Sequence, residues 1–228
     1  MIAAAGSGKR LGAGGPKAFV ELGGRPLVEW SLEAFSRAES VGQVIVAVPR
    51  GHEAKLGGGA VAVAGGELRS ESVAVGLKRV ETAFVAVHDA ARPLVTPELI
   101  EALVTKLDSR PDAEGVVAAA PLTDTVKRAR EPRPPKGEIA RGGPTVAKTV
   151  SRDHLWAAQT PQVFRTDALR RAFDTDPQRV AAATDEAMLV EKAGGKILIH
   201  PAPAENLKVT TPLDLRVAEL LLTERNRL

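Results

Sequence analysis

The sequence predicts an α/β protein with one doubly wound, mostly parallel sheet. Short apolar runs rich in Val are bounded by turn residues, which is the pattern of buried strands. Stretches with helical periodicity lie between these runs, and strands that alternate with helices build a parallel sheet covered on both faces. A length of 228 residues with 44% hydrophobic residues suffices for a domain with its own core. We therefore expect a single Rossmann-like domain over residues 1–228.

The first elements follow from hydrophobic pattern alone. A helix is predicted over residues 27–37, where apolar side chains recur on one face, and a second helix over residues 72–80. The predicted strands are the four apolar runs at residues 44–48, 60–64, 84–87 and 116–120.

Two further helices are predicted from their start signals. Thr96, followed by Pro97 and an early acidic residue, is typical of a helix start, and this helix is expected to reach about Leu107. Thr211 and Pro212 repeat the signal and open the last helix. Its predicted apolar face consists of Leu215, Ala218, Leu221 and Leu222.

One segment departs from the alternating pattern. Residues 128–149 are rich in Pro, Gly and Arg and directly follow a predicted strand. A loop of this length in a compact domain is either functional or disordered. Composition leaves two interpretations open, a surface insertion or an arm that reaches a partner subunit. The alternation in Thr145–Val150 predicts an extended strand within it.

Composition excludes several classes of function. The absence of cysteine excludes a disulfide scaffold, thiol catalysis and cysteine-ligated zinc. No apolar run approaches the roughly 20 residues of a membrane-spanning helix, and no membrane partner is expected. The start lacks the charge pattern of an export signal, so we expect a cytoplasmic protein. A net charge of +3 with no Tyr, five Phe and two Trp favours a small phosphorylated ligand over nucleic acid.

The glycine-rich start predicts a phosphate-binding loop. Residues 3–12 follow a very short strand and are rich in Gly and Ala, which allow the backbone N–H groups to approach and cradle an anion. Arg10 and Lys17 add positive charge. The loop is not a P-loop, because no Gly-Lys pair followed by Ser or Thr stands at the required distance from an earlier glycine. It does not match the dinucleotide fingerprint either, because its third glycine is at position 12 rather than 11. A flexible glycine loop is the alternative.

Further candidates lie near the ends of predicted strands. Asp89 follows a buried strand, where a carboxylate is well placed to hold Mg²⁺ against phosphates, or else caps a turn and pairs with Arg92. Residues 65–72 suit base or ribose contacts through the backbone and Ser72; the alternative is a helix cap formed by Ser70. Lys208, taken alone, is typical of solvated surface.

The residues thus indicate a phosphate-handling α/β enzyme, with magnesium expected. The four histidines form no metal-binding spacing, and the sequence has no nucleophile-elbow motif. No covalent nucleophile is evident.

The motifs together resemble a known family. Residues 4–11 read AAGSGKRL and are followed by Gly15-Pro16-Lys17, which is similar to the opening signature of nucleotidyltransferases. The sequences HDAARP at 88–93, APLTDT at 120–125, TPQ at 160–162 and NLKVT at 206–210 resemble further motifs of the 2-C-methyl-D-erythritol 4-phosphate cytidylyltransferases. The matches run in order along essentially the whole chain, and HDAARP with NLKVT is far more specific than the opening loop.

The resemblance implies a reaction and a set of site residues. CTP and methylerythritol phosphate would react with Mg²⁺ to give a cytidine diphospho-alcohol and pyrophosphate. Arg10 and Lys17 would stabilise charge at the α-phosphate, and Asp89 would bind the metal. Contacts to cytosine and ribose would come from Ala5, Gly6, Gly8, Gly66, Arg69, Ser72 and the backbone around Ala90. The methylerythritol phosphate would be positioned by Arg152 and Lys208, with Thr125 and Thr160 nearby.

The same resemblance implies a homodimer. In the family, the segment after Thr125 forms an arm that interlocks with a second subunit. Residues 123–152 would be this arm, with Thr125 and Arg152 serving the neighbour's active site. The sequence departs from the family at Ala18, where the family more often has glutamine, and at Glu205, where the acidic residue of the family is often aspartate. The arm is also longer than is usual in the family, around residues 131–143.

Other functions remain as alternatives. A ribitol-5-phosphate cytidylyltransferase shares the opening loop and a related HDxxRP motif, and a sugar nucleotidyltransferase using another base is a more distant option. A dinucleotide-dependent oxidoreductase is disfavoured, because Leu11 occupies the place of its third glycine. A non-catalytic nucleotide-binding module is disfavoured by the presence of Arg10, Lys17 and Asp89.

Overall fold

The computed structural model describes residues 1–6, 8, 11–12, 15–56, 59–130 and 143–225. The strands are β1 (Ile2–Ala3), β2 (Glu21–Leu22), β3 (Arg25–Pro26), β4 (Ile45–Val48), β5 (Val61–Ala64), β6 (Phe84–Asp89), β7 (Gly115–Pro121), β8 (Val126–Arg130), β9 (Thr145–Val150), β10 (Trp156–Arg165) and β11 (Ile197–Pro201). The α-helices are α1 (Leu27–Arg37), α2 (Arg69–Leu77), α3 (Pro97–Asp108), α4 (Thr166–Phe173), α5 (Pro177–Ala181), α6 (Glu186–Lys192) and α7 (Pro212–Arg225).

Seven of these strands form one mostly parallel sheet, as predicted. Their order is β11, β7, β10, β6, β1, β4, β5. The strand β1 pairs in parallel with both β4 and β6, β4 with β5, and β11 with β7, whereas β10 runs antiparallel to β6. The carboxyl ends of β1, β4, β5 and β6 therefore meet at one edge.

Helices cover both faces of the sheet, which confirms the doubly wound prediction. Successive residues of β4 point to opposite faces, as in any strand. Ile45 and Ala47 pack with apolar residues of α2, α4 and α6. Val46 and Val48 pack on the other face with α1 and α3. All four β4 side chains are buried, which explains why the strand is a continuous apolar run.

The predicted elements are largely confirmed. The four apolar runs form β4, β5, β6 and β7, and the helix predicted at residues 27–37 is α1. Thr96 caps α3 by accepting a hydrogen bond from the Leu99 N–H at 3.2 Å. The last helix, α7, buries Ala218 and Leu222 against Leu22 and Leu27, with Leu215 and Leu221 packed beside them.

The start of α2 corrects the sequence analysis. The helix begins at Arg69, not at residue 72, and the predicted Ser70 cap is wrong because Ser70 lies inside the first turn. The Glu71 carboxylate makes the cap instead: it accepts hydrogen bonds from the N–H groups of Glu67 at 2.9 Å and Leu68 at 3.2 Å. A carboxylate in the first turn also complements the positive end of the helix dipole.

The chain divides into two compact units, residues 1–119 with 158–228 and residues 120–157. Within the second unit, β8 and β9 form an antiparallel pair with an irregularity between Arg128 and Ala129. This confirms the strand predicted at Thr145–Val150. Most side chains of both strands are exposed, including Lys127, Arg128 and Lys148. Residues 131–142 of the predicted arm lie outside the described residues.

In the part of the chain that the structure describes, no helix combines the length and apolar character that a membrane crossing requires.

The helix α7 begins with a reciprocal capping arrangement. The Thr211 hydroxyl accepts from the Asp214 N–H at 3.2 Å, and the Asp214 carboxylate accepts from the N–H groups of Thr210 and Thr211, both at 2.8 Å. The Thr210 hydroxyl also donates to Asp214 at 2.6 Å. These hydrogen bonds, led by that of the Thr210 hydroxyl, lower the pKa of Asp214 to about 2.

We expect Asp214→Ala to lower the free energy of unfolding by about 1 kcal/mol at pH 7, because α7 loses its cap. The folded pKa lies below the unfolded value, so the cap's ionic contribution is present above about pH 4 and is lost as the pH falls toward 2. Urea unfolding at pH 7, 4 and 2.5 measures this. Glu219→Gln, on the same helix, serves as the matched control. A penalty for Asp214→Ala that stays constant down to pH 2.5 would contradict the assignment.

Candidate active site

A cavity lies where the carboxyl ends of β1, β5 and β6 meet. Its volume is about 500 Å³. Ligands of open α/β sheets bind at this edge because the loops that leave the strands converge there. The lining comes from the segment after β1, the start of α2, the end of β6 and residues 208–210; it consists of Ala3, Ala4, Ala5, Gly6, Gly8, Leu11, Lys17, Ala18, Gly66, Glu67, Leu68, Arg69, Ser72, Asp89, Ala90, Ala91, Lys208 and Thr210.

The glycine-rich start folds back on itself beside the cavity. Gly8 has a φ of +68°, and a Cβ at this position would lie 3.0 Å from the Gly15 carbonyl oxygen and 3.2 Å from Lys17. Only glycine combines this left-handed backbone with so close a neighbour at low cost. The Lys17 N–H also donates to the Gly6 carbonyl at 3.1 Å. The loop therefore brings Lys17 against the small residues that line the cavity.

Asp89 is held between two cations. Arg69 Nε lies 2.7 Å from one carboxylate oxygen, and Lys208 Nζ lies 2.6 Å from the other. Burial by itself would raise the pKa of Asp89, but Arg69 and Lys208 hold that pKa well below its usual range. The carboxylate is therefore ionised at neutral pH, although only 7% of the residue is exposed.

These contacts bear on two of the open interpretations. The carbonyl oxygen of Asp89 accepts from the Arg92 N–H in a turn, but the carboxylate pairs with Arg69 and Lys208 rather than with Arg92. Lys208 is not merely solvated surface, because its ammonium group is fixed on Asp89.

A second carboxylate, which the sequence analysis did not single out, completes the charge cluster. Glu186 is 1% exposed, and Arg69 Nη1 donates to its two oxygens at 2.6 and 2.8 Å. Burial raises the pKa of Glu186, while the charge of Arg69 opposes that rise. In the sequence, Glu186 stands out only as an acidic residue at the start of α6, directly after Asp185. Asp185 caps this helix by accepting a hydrogen bond from the Met188 N–H. That signal is indistinguishable from an ordinary helix start.

The backbone of Asp89 is fixed by a hydrogen-bond relay. The Asp89 N–H donates to Thr160 Oγ1 at 3.0 Å, and Thr160 Oγ1 lies 3.1 Å from His88 Nδ1. His88 Nε2 lies 3.2 Å from the Arg92 carbonyl oxygen, which is an acceptor only, so Nε2 carries the proton and the Thr160 hydroxyl donates to Nδ1. Full burial lowers the pKa of His88 to about 3, consistent with a neutral ring.

The segment that carries Lys208 is anchored to the same region. Asn206 is buried and donates through Nδ2 to Gln159 Oε1 at 2.8 Å and to the Thr160 carbonyl at 2.9 Å. Arg92 Nη1 donates to the Asn206 carbonyl at 2.7 Å. The backbone just before Lys208 is therefore held by its neighbours, independently of the ion pair that the Lys208 side chain makes with Asp89.

The residues fit a hard divalent cation only in part. Among the described residues, no group of three or more His, Cys, Asp or Glu side chains could hold a metal ion. Mg²⁺, however, is commonly bound by one or two carboxylates together with phosphate oxygens of the substrate. Asp89 supplies such a carboxylate on the cavity wall. The donor set therefore fits Mg²⁺ when a polyphosphate ligand completes it.

The structure brings most of the predicted site residues together. Those that line the cavity are Ala5, Gly6, Gly8, Lys17, Gly66, Arg69, Ser72, Asp89, Ala90 and Lys208. Thr160 is 4% exposed and contacts the backbone of Asp89 instead of lining the cavity. Arg10 lies outside the described residues. Thr125 and Arg152 belong to the 120–157 unit, in which the Arg152 guanidinium donates to the Thr123 carbonyl.

Comparisons with known proteins agree on one family. A family model described as 2-C-methyl-D-erythritol 4-phosphate cytidylyltransferase matches residues 1–224. A protein of that name from Deinococcus radiodurans is 42% identical over 221 residues, which is 97% of this chain and 88% of that protein. One from Frankia casuarinae is 41% identical over 229 residues, covering 97% of this chain and 80% of that protein.

Longer proteins and solved structures also match. A bifunctional IspD/IspF enzyme from an Anaeromyxobacter species is 41% identical over 97% of this chain, which spans 56% of that enzyme. The crystal structure of 2-C-methyl-D-erythritol 4-phosphate cytidylyltransferase from Thermus thermophilus has a TM-score of 0.76 and 34% identity, covering 97% of both chains.

We expect Thr160→Val to lower the free energy of unfolding by about 1–3 kcal/mol. Valine has nearly the shape of threonine but no hydroxyl, so the buried Asp89 N–H and His88 Nδ1 both lose their hydrogen-bond partner. Urea unfolding at neutral pH measures the change. Thr105→Val, an exposed position of α3, is the control and should stay within about 0.5 kcal/mol of the parent. If the two variants proved equally stable, the relay would contribute nothing.

Proposed function

The chain belongs to the 2-C-methyl-D-erythritol 4-phosphate cytidylyltransferase family, and on that premise we propose how its own residues carry out the reaction. It transfers CMP from CTP to 2-C-methyl-D-erythritol 4-phosphate, giving 4-diphosphocytidyl-2-C-methyl-D-erythritol and pyrophosphate, in non-mevalonate isoprenoid biosynthesis. The observation that carries the proposal is the cavity at the sheet edge, where Arg69 and Lys208 pair with the ionised Asp89 and Lys17 lines the same cavity.

The reaction makes mainly electrostatic demands on the protein. The attacking group is a phosphate oxygen, which is largely deprotonated near neutral pH because the second pKa of a phosphate monoester is about 6. No general base is therefore required. The enzyme must instead bring two polyanions together and stabilise the charge that develops at the α-phosphate. We assign this task to Arg10 and Lys17 on the nucleotide and to Arg152 and Lys208 on the second substrate.

We place the nucleotide along the glycine-rich start and the first turn of α2. The backbone of Ala5, Gly6 and Gly8 suits a close approach of the nucleotide, both its triphosphate and its cytidine, because nothing larger than a methyl group separates it from the cavity. Gly66, Arg69, Ser72 and Ala90 are assigned to the cytidine. The Ser72 hydroxyl accepts from the Gly66 N–H at 3.1 Å, which supports a role in shaping the loop that contacts the base and ribose.

Asp89 is the residue we assign to Mg²⁺, together with the phosphate oxygens of CTP. When bound, the ion would neutralise charge on the triphosphate and orient it for displacement. Asp89 is suited to this because Arg69 and Lys208 keep it ionised, and because the Thr160 hydroxyl fixes its backbone. Thr160 thus supports the site through its hydrogen bond to the Asp89 backbone, without contacting the ligand cavity itself.

The remaining assignments concern assembly and location. We propose a homodimer in which the arm at residues 123–152 reaches the neighbouring subunit, so that Thr125 and Arg152 contribute to the neighbour's site. Within the second unit, the exposed cations of β8 and β9 support this proposal, because substrates carrying several negative charges need positive charge from more than one direction. We propose a cytoplasmic location, where CTP is available.

The reaction is tested by pyrophosphate release from CTP and Mg²⁺, with methylerythritol 4-phosphate and ribitol 5-phosphate as parallel substrates. We expect release with methylerythritol 4-phosphate only, because the site must position one specific alcohol phosphate for in-line attack. Preference for ribitol 5-phosphate would reassign the substrate and leave the roles of Lys17 and Asp89 in place. No release with either would contradict the assignment of CTP.

We expect Lys17→Ala to lower kcat by ~10²–10³-fold, the loss typical of one group that stabilises developing charge. Lys192→Ala removes an exposed cation on α6 and is the control, with an expected rate near that of the parent. Steady-state pyrophosphate release measures both variants, and circular dichroism establishes that both are folded. A folded Lys17→Ala enzyme with near-normal kcat would remove Lys17 from the mechanism.

The contribution of Arg152 across subunits can be tested with mixed dimers. Lys17→Ala and Arg152→Ala should each be nearly inactive alone. A heterodimer of the two has one site with both residues intact, and we expect roughly half of the parental activity per heterodimer. Size-exclusion chromatography with light scattering establishes the dimer. Heterodimers no more active than either variant would show that Arg152 does not act on the partner's site.

A further inference from the structure

Four charges alternate in sign along one line of contacts at the nucleotide site. Glu186 pairs with Arg69, Arg69 pairs with Asp89, and Asp89 pairs with Lys208. The proposed mechanism assigns roles to Arg69, Asp89 and Lys208 but none to Glu186. Glu186 is also the least exposed of the four side chains, at 1%.

A stability role alone is a weak explanation for Glu186. A buried ion pair seldom stabilises a fold more than well-packed apolar side chains of the same volume, because both charges lose their hydration. A buried carboxylate that contacts a residue of the cavity wall therefore suggests a requirement of the site.

That requirement follows from the two occupied oxygens of Asp89. The two oxygens have cationic nitrogens at 2.7 and 2.6 Å. A magnesium ion approaches a carboxylate oxygen to about 2.0–2.1 Å, so it repels the two cationic nitrogens and competes with them for the charge of Asp89. Lys208 has a side chain that is 40% exposed. Arg69 is less exposed, at 29%, and Glu186 holds it through a different nitrogen from the one that contacts Asp89.

We propose that Glu186 is a positioning residue for the metal–nucleotide complex, which anchors Arg69 so that the charge of Asp89 is available to the metal ion. Without Glu186, Asp89 is the only acid of this cluster left to Arg69, and Arg69 then competes with the metal for both oxygens. The inference rests on the proposed assignment of Mg²⁺ to Asp89. It predicts that Glu186 affects metal-dependent binding of CTP more than metal-free binding.

Equilibrium dialysis of labelled CTP tests this, with Mn²⁺ as the metal in one arm and EDTA in the other. The quantity measured is the ratio of the metal-free dissociation constant to the dissociation constant with Mn²⁺. For Glu186→Gln we expect this ratio to fall about tenfold, while metal-free binding changes less than about threefold. Glu191→Gln, an exposed position on the same helix, is the control and should keep the parental ratio.

A suppressor distinguishes anchoring of Arg69 from a general effect of negative charge. In the double variant Arg69→Gln with Glu186→Gln, no arginine competes for Asp89, so the ratio should return to at least the parental value, even if CTP binds less tightly overall. This variant also replaces the buried ion pair by two neutral side chains, which keeps the test available if Glu186→Gln alone does not fold. In that case the double variant is compared with Arg69→Gln alone. Adding Glu186→Gln to Arg69→Gln should alter the ratio by less than about twofold.

Each other outcome has a definite meaning. An equal loss of metal-free and metal-dependent binding in Glu186→Gln would reduce Glu186 to a structural residue and overturn the inference. An unchanged ratio, or a double variant that stays as low as Glu186→Gln, would also overturn it. A parental protein that binds CTP without any gain from Mn²⁺ would contradict the metal assignment to Asp89 and the inference with it, whereas a parent that binds no CTP would contradict the proposed function itself.

Discussion

The buried carboxylate of Asp89 is the constraint around which the sheet edge is organised. An ionised group removed from water is costly unless opposite charges and hydrogen bonds replace its hydration. Two separate parts of the chain meet that need, because the first turn of α2 provides Arg69 and the segment before α7 provides Lys208. A third part, β10, provides the Thr160 hydroxyl that accepts from the Asp89 N–H and fixes the backbone. The position of β10 beside β6 is therefore as important to the site as the parallel strands that carry the loops.

Much of this architecture follows from local sequence pattern, and the exceptions have physical causes. The apolar runs predict β4 to β7 because a strand buried on both faces must be apolar throughout. The antiparallel insertion of β10 was not predicted, because strand order depends on pairing between distant segments, such as Val163 with Ala86. The Ser70 cap was wrong because two candidate caps, Ser70 and Glu71, stand side by side, and only the backbone geometry before the helix decides between them.

The site residues divide in the same way. Small residues and cations near strand ends predict the cavity, and most of them line it. Glu186 and His88 were not identified as contributors, because their importance comes from partners far along the chain. Glu186 is 117 positions from Arg69, and His88 is 72 positions from Thr160. The sequence shows the type of each residue but not which distant residues become its neighbours in the fold.

The anchoring of Asn206 has a consequence for recombination between members of the family. Its side-chain amide bonds to Gln159 and Thr160, and its carbonyl bonds to Arg92, so the loop before α7 is shaped by two other segments of the chain. A relative's loop grafted into this position keeps these contacts only if it carries an asparagine at the place of Asn206 and fits Arg92, Gln159 and Thr160 of the recipient. The turn after β6, the start of β10 and the loop before α7 therefore form one structural unit. Chimaeras are best designed so that all three segments come from the same parent.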